Sequence, residues 1–216
     1  MYDYVDLGLP SSIAIPKAAR TMHYVEIKTI LGAVAIVIAL IAYATYLNGI
    51  SSGSTKPHAF SWLLWALLTG TAFAAQVVKG GGAGAWATGA SSVACAAIGI
   101  LALRVSDRRF HALDWAFLCG SLLALLLWFV AKNVTLSVIA LTATDVLGYG
   151  PTLRKGWLKP NEDMVLPFAL NSTKYVVAII ALQSYSLETW LYPGSLIVMN
   201  GAVALMLWAR RGGVTI

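Results

Sequence analysis

Residues 144–174 read TDVLGYGPTLRKGWLKPNEDMVLPFALNSTK. The stretch joins two apolar runs, and each run carries one charged residue, Asp145 in the first and Lys174 in the second. Between them lies a short loop with Arg154, Lys155 and Lys159, flanked by Pro151 and Pro167. Helix rise sets the depths. Asp145 precedes Lys155 by ten residues, which is about 15 Å at ~1.5 Å per residue. Lys174 follows Asp163 by eleven residues, about 16 Å on the same rise. A hydrocarbon core is about 30 Å thick, so both charges belong near its midplane, out of snorkelling reach of water. An ionisable residue at that depth is a functional-site candidate by default, and these two are candidate partners.

The rest of the chain is of the same kind. Of its 216 residues 59% are hydrophobic and 11% charged, with mean hydropathy +0.76. A soluble domain carries about 25% charged residues. The apolar residues fall in runs close to the roughly 20 residues that a helical span requires. The fold class is therefore an all-α polytopic membrane protein. Seven transmembrane helices can be drawn, near 29–47, 60–78, 83–103, 113–131, 134–153, 164–182 and 190–209.

The net charge of +6 resides mainly in loops, where orientation in the bilayer and contact with anionic headgroups account for it. Lipid is the expected partner and nucleic acid is not. Counting Lys and Arg on alternate loops sets Lys56, Arg104, Arg108, Arg109, Arg154, Lys155, Lys159, Arg210 and Arg211 on one side. By the positive-inside rule that side is cytoplasmic, which leaves the N-terminus outside. Cys95 and Cys119 lie in apolar runs and read as small buried hydrophobes. His23, His58 and His111 are scattered near interfaces, so no metal site is read. No cofactor motif and no catalytic Ser, His and acid arrangement is present, so the chain is not expected to be an enzyme. In the N-terminal segment, 1–28, Pro10 and Pro16 argue against one continuous helix.

The chain also repeats itself. YATYLNG from Tyr43 matches YGPTLRKG from Tyr149, and each is followed by a Lys-Pro pair, Lys56-Pro57 and Lys159-Pro160. WATGASSVACAAIGILALR from Trp86 aligns with WLYPGSLIVMNGAVALMLW from Trp190. The offset stays between 103 and 106 residues across three spans, which points to internal duplication. A three-span unit ends on the side opposite its start, so one extra span is needed for two parallel copies. The organisation that follows is an extramembrane segment 1–28, a first three-helix repeat 29–104, a linker loop and fourth helix 105–132, a second three-helix repeat 133–211, and a tail 212–216.

In these features the chain resembles the SWEET and PQ-loop superfamily. The likeness rests on the three-plus-one-plus-three order, on GYGPTLRKGW with Thr152 at the motif's glutamine, on Pro151 and Pro167, and on Asn200 midway along the last span. It covers about 30–211. The resemblance implies alternating access, with Asn200 contacting substrate. The first repeat carries Ala44 or Thr45, Ser61 and Ala96 where the family has prolines and an asparagine, so the polar equipment is concentrated in the second repeat.

Helical spacing decides which residues share a face. Pro167, Asn171, Lys174 and Ala178 form one stripe, Asp145, Tyr149 and Thr152 a second, and Ser61, Trp65, Thr69, Ala72 and Gln76 a third. Tyr43 and Tyr46 project alike from the first span. If these stripes converge, Asn171, Lys174 and Asn200 hold a polar or anionic solute while Trp65, Tyr43 and Tyr149 stack on it. Asp145 then serves as counter-ion to Lys174 or as a proton-coupling group, and Pro151 and Pro167 as gate or hinge. A permanent Asp145–Lys174 pair that only fixes helix packing accounts for the same charges. The expected activity is secondary transport of a small sugar-like or amino-acid-like solute, with or without proton coupling. The alternative is a non-transporting membrane receptor or assembly partner on the same fold. The small-residue third span favours close packing or a homo-oligomer.

Overall fold

The helices follow the apolar runs. A computed structural model of the chain describes residues 17–53, 59–105, 112–158, 160–162 and 164–211. Among them are α1 (Lys17–Ser51), α2 (Ala59–Val78), α3 (Trp86–Val105), α4 (Ala112–Phe129), α5 (Val134–Leu158), α6 (Val165–Ala181) and α7 (Leu187–Arg210). Short 3₁₀ turns occupy Gly82–Ala85 and Pro160–Glu162. No strand occurs among the described residues. Five helical stretches are long and apolar enough to cross a membrane: Met22–Ser51, Ala59–Val78, Gly82–Arg104, Val134–Leu158 and Leu187–Arg210. Leu118–Phe129 and Val165–Ala181 are shorter apolar helices. The chain is thus an α-helical integral membrane protein. Its outward faces carry large apolar side chains such as Leu40, Val93, Leu147 and Leu205.

α1 departs from the sequence reading. The described residues are helical from Lys17 on, so the helix takes in 17–28, which the sequence reading set outside the first span. Pro10 and Pro16, on which the expectation of no continuous helix over 1–28 rests, lie outside the described residues. With 35 residues, α1 is about 52 Å long, well beyond the ~30 Å of a hydrocarbon core.

α2 packs along α3, and α6 along α7. α1 lies against α6 and α3, while α5 lies against α7 and α4. α2 also meets α4, α5 and α7. Small residues permit the closest approaches. A Cβ on Gly84 would stand 2.6 Å from the backbone N of Leu182 and 2.7 Å from the carbonyl O of Ala178. Only glycine lets the turn before α3 sit against the end of α6.

The end of α2 is tied to the start of α7 through a proline. Pro193 lies inside α7. Having no N–H, it leaves the Thr189 carbonyl, four residues earlier, without its helical donor. Gln76, fully buried on α2, supplies the missing donor: its Nε2 donates to Thr189 O at 2.8 Å. Close by, Glu188 accepts from Thr135 Oγ1 at 2.6 Å and pairs with Lys79 Nζ at 3.0 Å. The Gln183 N–H donates to Gly81 O at 3.1 Å. At the same end Lys28 of α1 donates to Ile180 O and, at 3.2 Å, to Tyr185 Oη. Ile180 belongs to the last turn of α6, where carbonyls lack intrahelical partners.

Candidate functional site

The α6 stripe turns inward. Pro167, Lys174 and Ala178 are buried and Asn171 is half-buried. The whole Lys174 side chain is inside the protein, at 0% exposure. Its Nζ donates to Ser91 Oγ of α3 at 2.8 Å and to Tyr43 Oη of α1 at 3.2 Å. It also stands 4.6 Å from the ring centroids of both Tyr43 and Tyr175, within cation–π range. The hydroxyl protons are consistently assigned. Ser91 Oγ gives its own to Ala87 O at 2.7 Å, so its lone pairs accept from Lys174 and, at 3.2 Å, from Tyr175 Oη. Tyr43 Oη has Cys95 Sγ at 3.9 Å on its far side.

Asp145 on α5 is equally deep, at 2% exposure, but neither carboxylate oxygen has a hydrogen-bond partner. Trp65 of α2 and Tyr192 of α7 lie beside it without closing a bond of standard geometry. Tyr149, four residues further along α5, accepts from Asn200 Nδ2 of α7 at 2.9 Å, and the same amide donates to Leu196 O at 2.8 Å. Tyr149, Tyr175 and Tyr192 pack in one buried cluster and all lie within electrostatic reach of Asp145.

The sequence-predicted residues therefore separate into two groups. Tyr43 meets Lys174, and Tyr149 meets Asn200. Trp65 stands by Asp145 and packs edge-on against Trp62, with centroids 5.3 Å apart. Asn171 Oδ1 is buried without a partner. The expected Asp145–Lys174 ion pair does not form. Lys174 spends its contacts on Ser91, Tyr43 and Tyr175, and no carboxylate oxygen of Asp145 has a partner. The reason is the direction of the two faces, since α6 presents Lys174 to α1 and α3 while α5 presents Asp145 to α2 and α7. Cys95 of α3 lies within electrostatic reach of both charges.

Pro167 is the third residue of α6, where an N–H has no intrahelical acceptor to lose, so it frees no carbonyl. Pro151 falls within α5, and its side chain lies outside the described residues. Pro193, inside α7, frees a carbonyl that the structure shows taken up by Gln76. Spacing arguments also missed Ser91, Tyr175 and Tyr192. Tyr192 is 1% exposed in the fold. An apolar groove of about 240 Å³ opens between α2 and α4, lined by Ala66, Leu67, Gly70, Thr71, Trp128 and Phe129, and carries none of the predicted site residues. No protein-family model, curated protein or solved structure matches this chain.

Proposed function

We propose that this chain is a small secondary transporter of a small polar or anionic solute, sugar-like or amino-acid-like, working by alternating access. Its seven helices form two parallel three-helix units joined by α4, in the manner of the SWEET and PQ-loop superfamily. Helix pairing supports the duplication. Exchanging α1, α2 and α3 for α5, α6 and α7 turns α1 against α3 into α5 against α7, and α2 against α3 into α6 against α7. The same exchange turns α1 against α6 into α5 against α2, and α3 against α6 into α7 against α2. Every one of those pairs is in contact. The excess of Lys and Arg on alternate loops supports a cytoplasmic C-terminus and an outside N-terminus, and our reading sets the chain in a bacterial plasma membrane.

The observation that carries the reading is the burial of two ionisable residues where the two units meet. Lys174 and Tyr175 of the second unit are held by Tyr43 and Ser91 of the first. Asp145 of the second unit lies beside Trp65 of the first. Intramembrane charges of this kind face protein interiors and mark solute or proton pathways. A site whose walls come from both units changes shape when the units rock. The chemistry is binding and release, with no covalent step and no cofactor.

Uptake into proteoliposomes tests it. Purified protein is reconstituted and offered a panel of radiolabelled sugars, amino acids and organic anions across an imposed pH gradient. At least one solute should accumulate, and Asp145→Asn should lower its flux or uncouple it from the gradient. If no solute moves with either form, the carrier reading fails and the receptor or assembly reading takes its place.

A further inference from the structure

Resting on the carrier reading, we infer that the solute is a zwitterion. Its carboxylate is held by Lys174 and the Tyr43 hydroxyl, and its ammonium by Asp145.

Charge accounting within the membrane leads there. Lys174 and Asp145 are both buried and are not each other's partners. The groups touching Lys174 are a serine hydroxyl, a tyrosine hydroxyl and two rings, all neutral. They orient an ammonium without cancelling its charge. Asp145 has Trp65 and Tyr192 beside it but no hydrogen bond of standard geometry. A buried ion without a counter-ion costs several kcal/mol, and here two of opposite sign stand apart in one tyrosine-lined interior. Adding a proton to Asp145 does not resolve its position, because a carboxylic acid is a donor and no acceptor lies in hydrogen-bond geometry.

The candidate solutes differ in what they leave behind. A monoanion satisfies Lys174 and adds repulsion at Asp145. A monocation does the reverse. A sugar supplies hydroxyls and no charge. A zwitterion neutralises both ends at once and adds no net charge to the membrane interior. The two ends are also chemically suited. At Lys174 the hydroxyl of Tyr43 has Ser91 and a thiol at 3.9 Å beside it, and its proton can turn to an arriving carboxylate. At Asp145 there are two acceptor oxygens, neither in a hydrogen bond of standard geometry although Trp65 and Tyr192 lie close, and an ammonium brings three protons to them. The assignment divides the work between the two units. The second provides both charges, and the first provides the neutral hydroxyl and aromatic walls.

Calorimetric titration of the full chain in detergent tests this without requiring transport. The probes are α-amino acids, β-alanine and γ-aminobutyrate, each with its des-amino carboxylate and its des-carboxy amine, and glucose as the uncharged control. At least one zwitterion should bind the wild-type protein, with both of its analogues weaker by at least about a hundredfold, since each leaves one buried charge unmatched. Asp145→Asn should bring that zwitterion and its des-amino analogue to equal affinity. Lys174→Gln should do the same for the zwitterion and its des-carboxy analogue. Should Lys174→Gln fail to fold, Tyr43→Phe serves in its place and should weaken the zwitterion and the carboxylate alike while sparing the amine. The inference is overturned if glucose or a monocarboxylate binds as tightly as the best zwitterion. It is also overturned if no zwitterion binds, or if each variant weakens all three members of a series equally. Zwitterion binding with no uptake in proteoliposomes would remove the carrier reading and leave this site standing. Sugar binding with sugar uptake would keep the carrier and remove the zwitterion.

Discussion

Lys174 and Asp145 are buried to the same degree and lie in opposite circumstances. The ammonium has two hydroxyl acceptors and two aromatic faces around it, while the carboxylate has no partner. Depth in the membrane alone therefore does not say what a charge is for. The environment of Lys174 resembles a built structural contact that can also receive a ligand. That of Asp145 is an unmet requirement, and such a residue lowers stability in return for an activity. The comparison makes the two residues separable by experiment, because removing each should shift stability in the opposite direction.

The largest effect is expected at Lys174. Lys174→Ala removes a fully buried side chain together with its bonds to Ser91 and Tyr43, and the cavity it leaves should cost about 2–5 kcal/mol. Lys174→Met retains most of the volume and should cost clearly less. Thermal unfolding in detergent reads both. If Lys174→Ala were as stable as wild type, the contacts of Lys174 would not be net favourable and the contrast with Asp145 would collapse.

Asp145→Asn should do the opposite. It replaces an unpartnered buried carboxylate with a neutral amide of the same shape, and should raise stability by about 1–3 kcal/mol while weakening the zwitterion to the affinity of its des-amino analogue. A lower melting temperature would mean that the carboxylate has a partner in the folded protein, and would make Asp145 a structural residue.

How far the sequence foretold these two positions differs for a physical reason. Composition and apolar runs suffice for the helices, because a bilayer admits only segments that satisfy their own backbone hydrogen bonds. Rise per residue suffices to place both charges deep. Which face of which helix meets which neighbour is a property of the packing. Lys174 and Asp145 are 29 residues apart in the sequence, yet their helices point them at different neighbours. Stripe reasoning picked out Asn171 and Lys174 and excluded Tyr175, because successive residues on a helix diverge by about 100°. A long lysine side chain reaches sideways, however, and Tyr175 joins Lys174 at Ser91. Ser91 carried no signal beyond a match to Ser195. The extension of α1 back to Lys17 carried no signal of its own, because 17–28 is moderately polar and the apolar run begins only near 29.

Gln76 repeats the contrast within one side chain. Its Nε2 meets the carbonyl that Pro193 frees, while its Oε1 is buried without a partner. Gln76→Leu should cost about 1–2 kcal/mol, since it orphans the Thr189 carbonyl. Pro193→Ala restores the helical donor to that carbonyl, so the double variant should lose less than the sum of the single ones. Additive losses in a double-mutant cycle would mean that Gln76 acts elsewhere.

The smallest effect is the sharpest test of how Lys174 is held. Tyr43→Phe removes one hydroxyl acceptor and leaves the ring 4.6 Å from Nζ in place. If hydroxyl and ring share the work, the loss should be near 1 kcal/mol, and most of the cation–π attraction should survive. Tyr43→Leu removes both and should cost more. The difference between the two variants isolates the ring. A Tyr43→Phe loss as large as that of Tyr43→Leu would assign the interaction to the hydroxyl alone. It would also mean that Ser91 Oγ cannot hold Lys174 unaided, although it is the closer of the two acceptors at 2.8 Å.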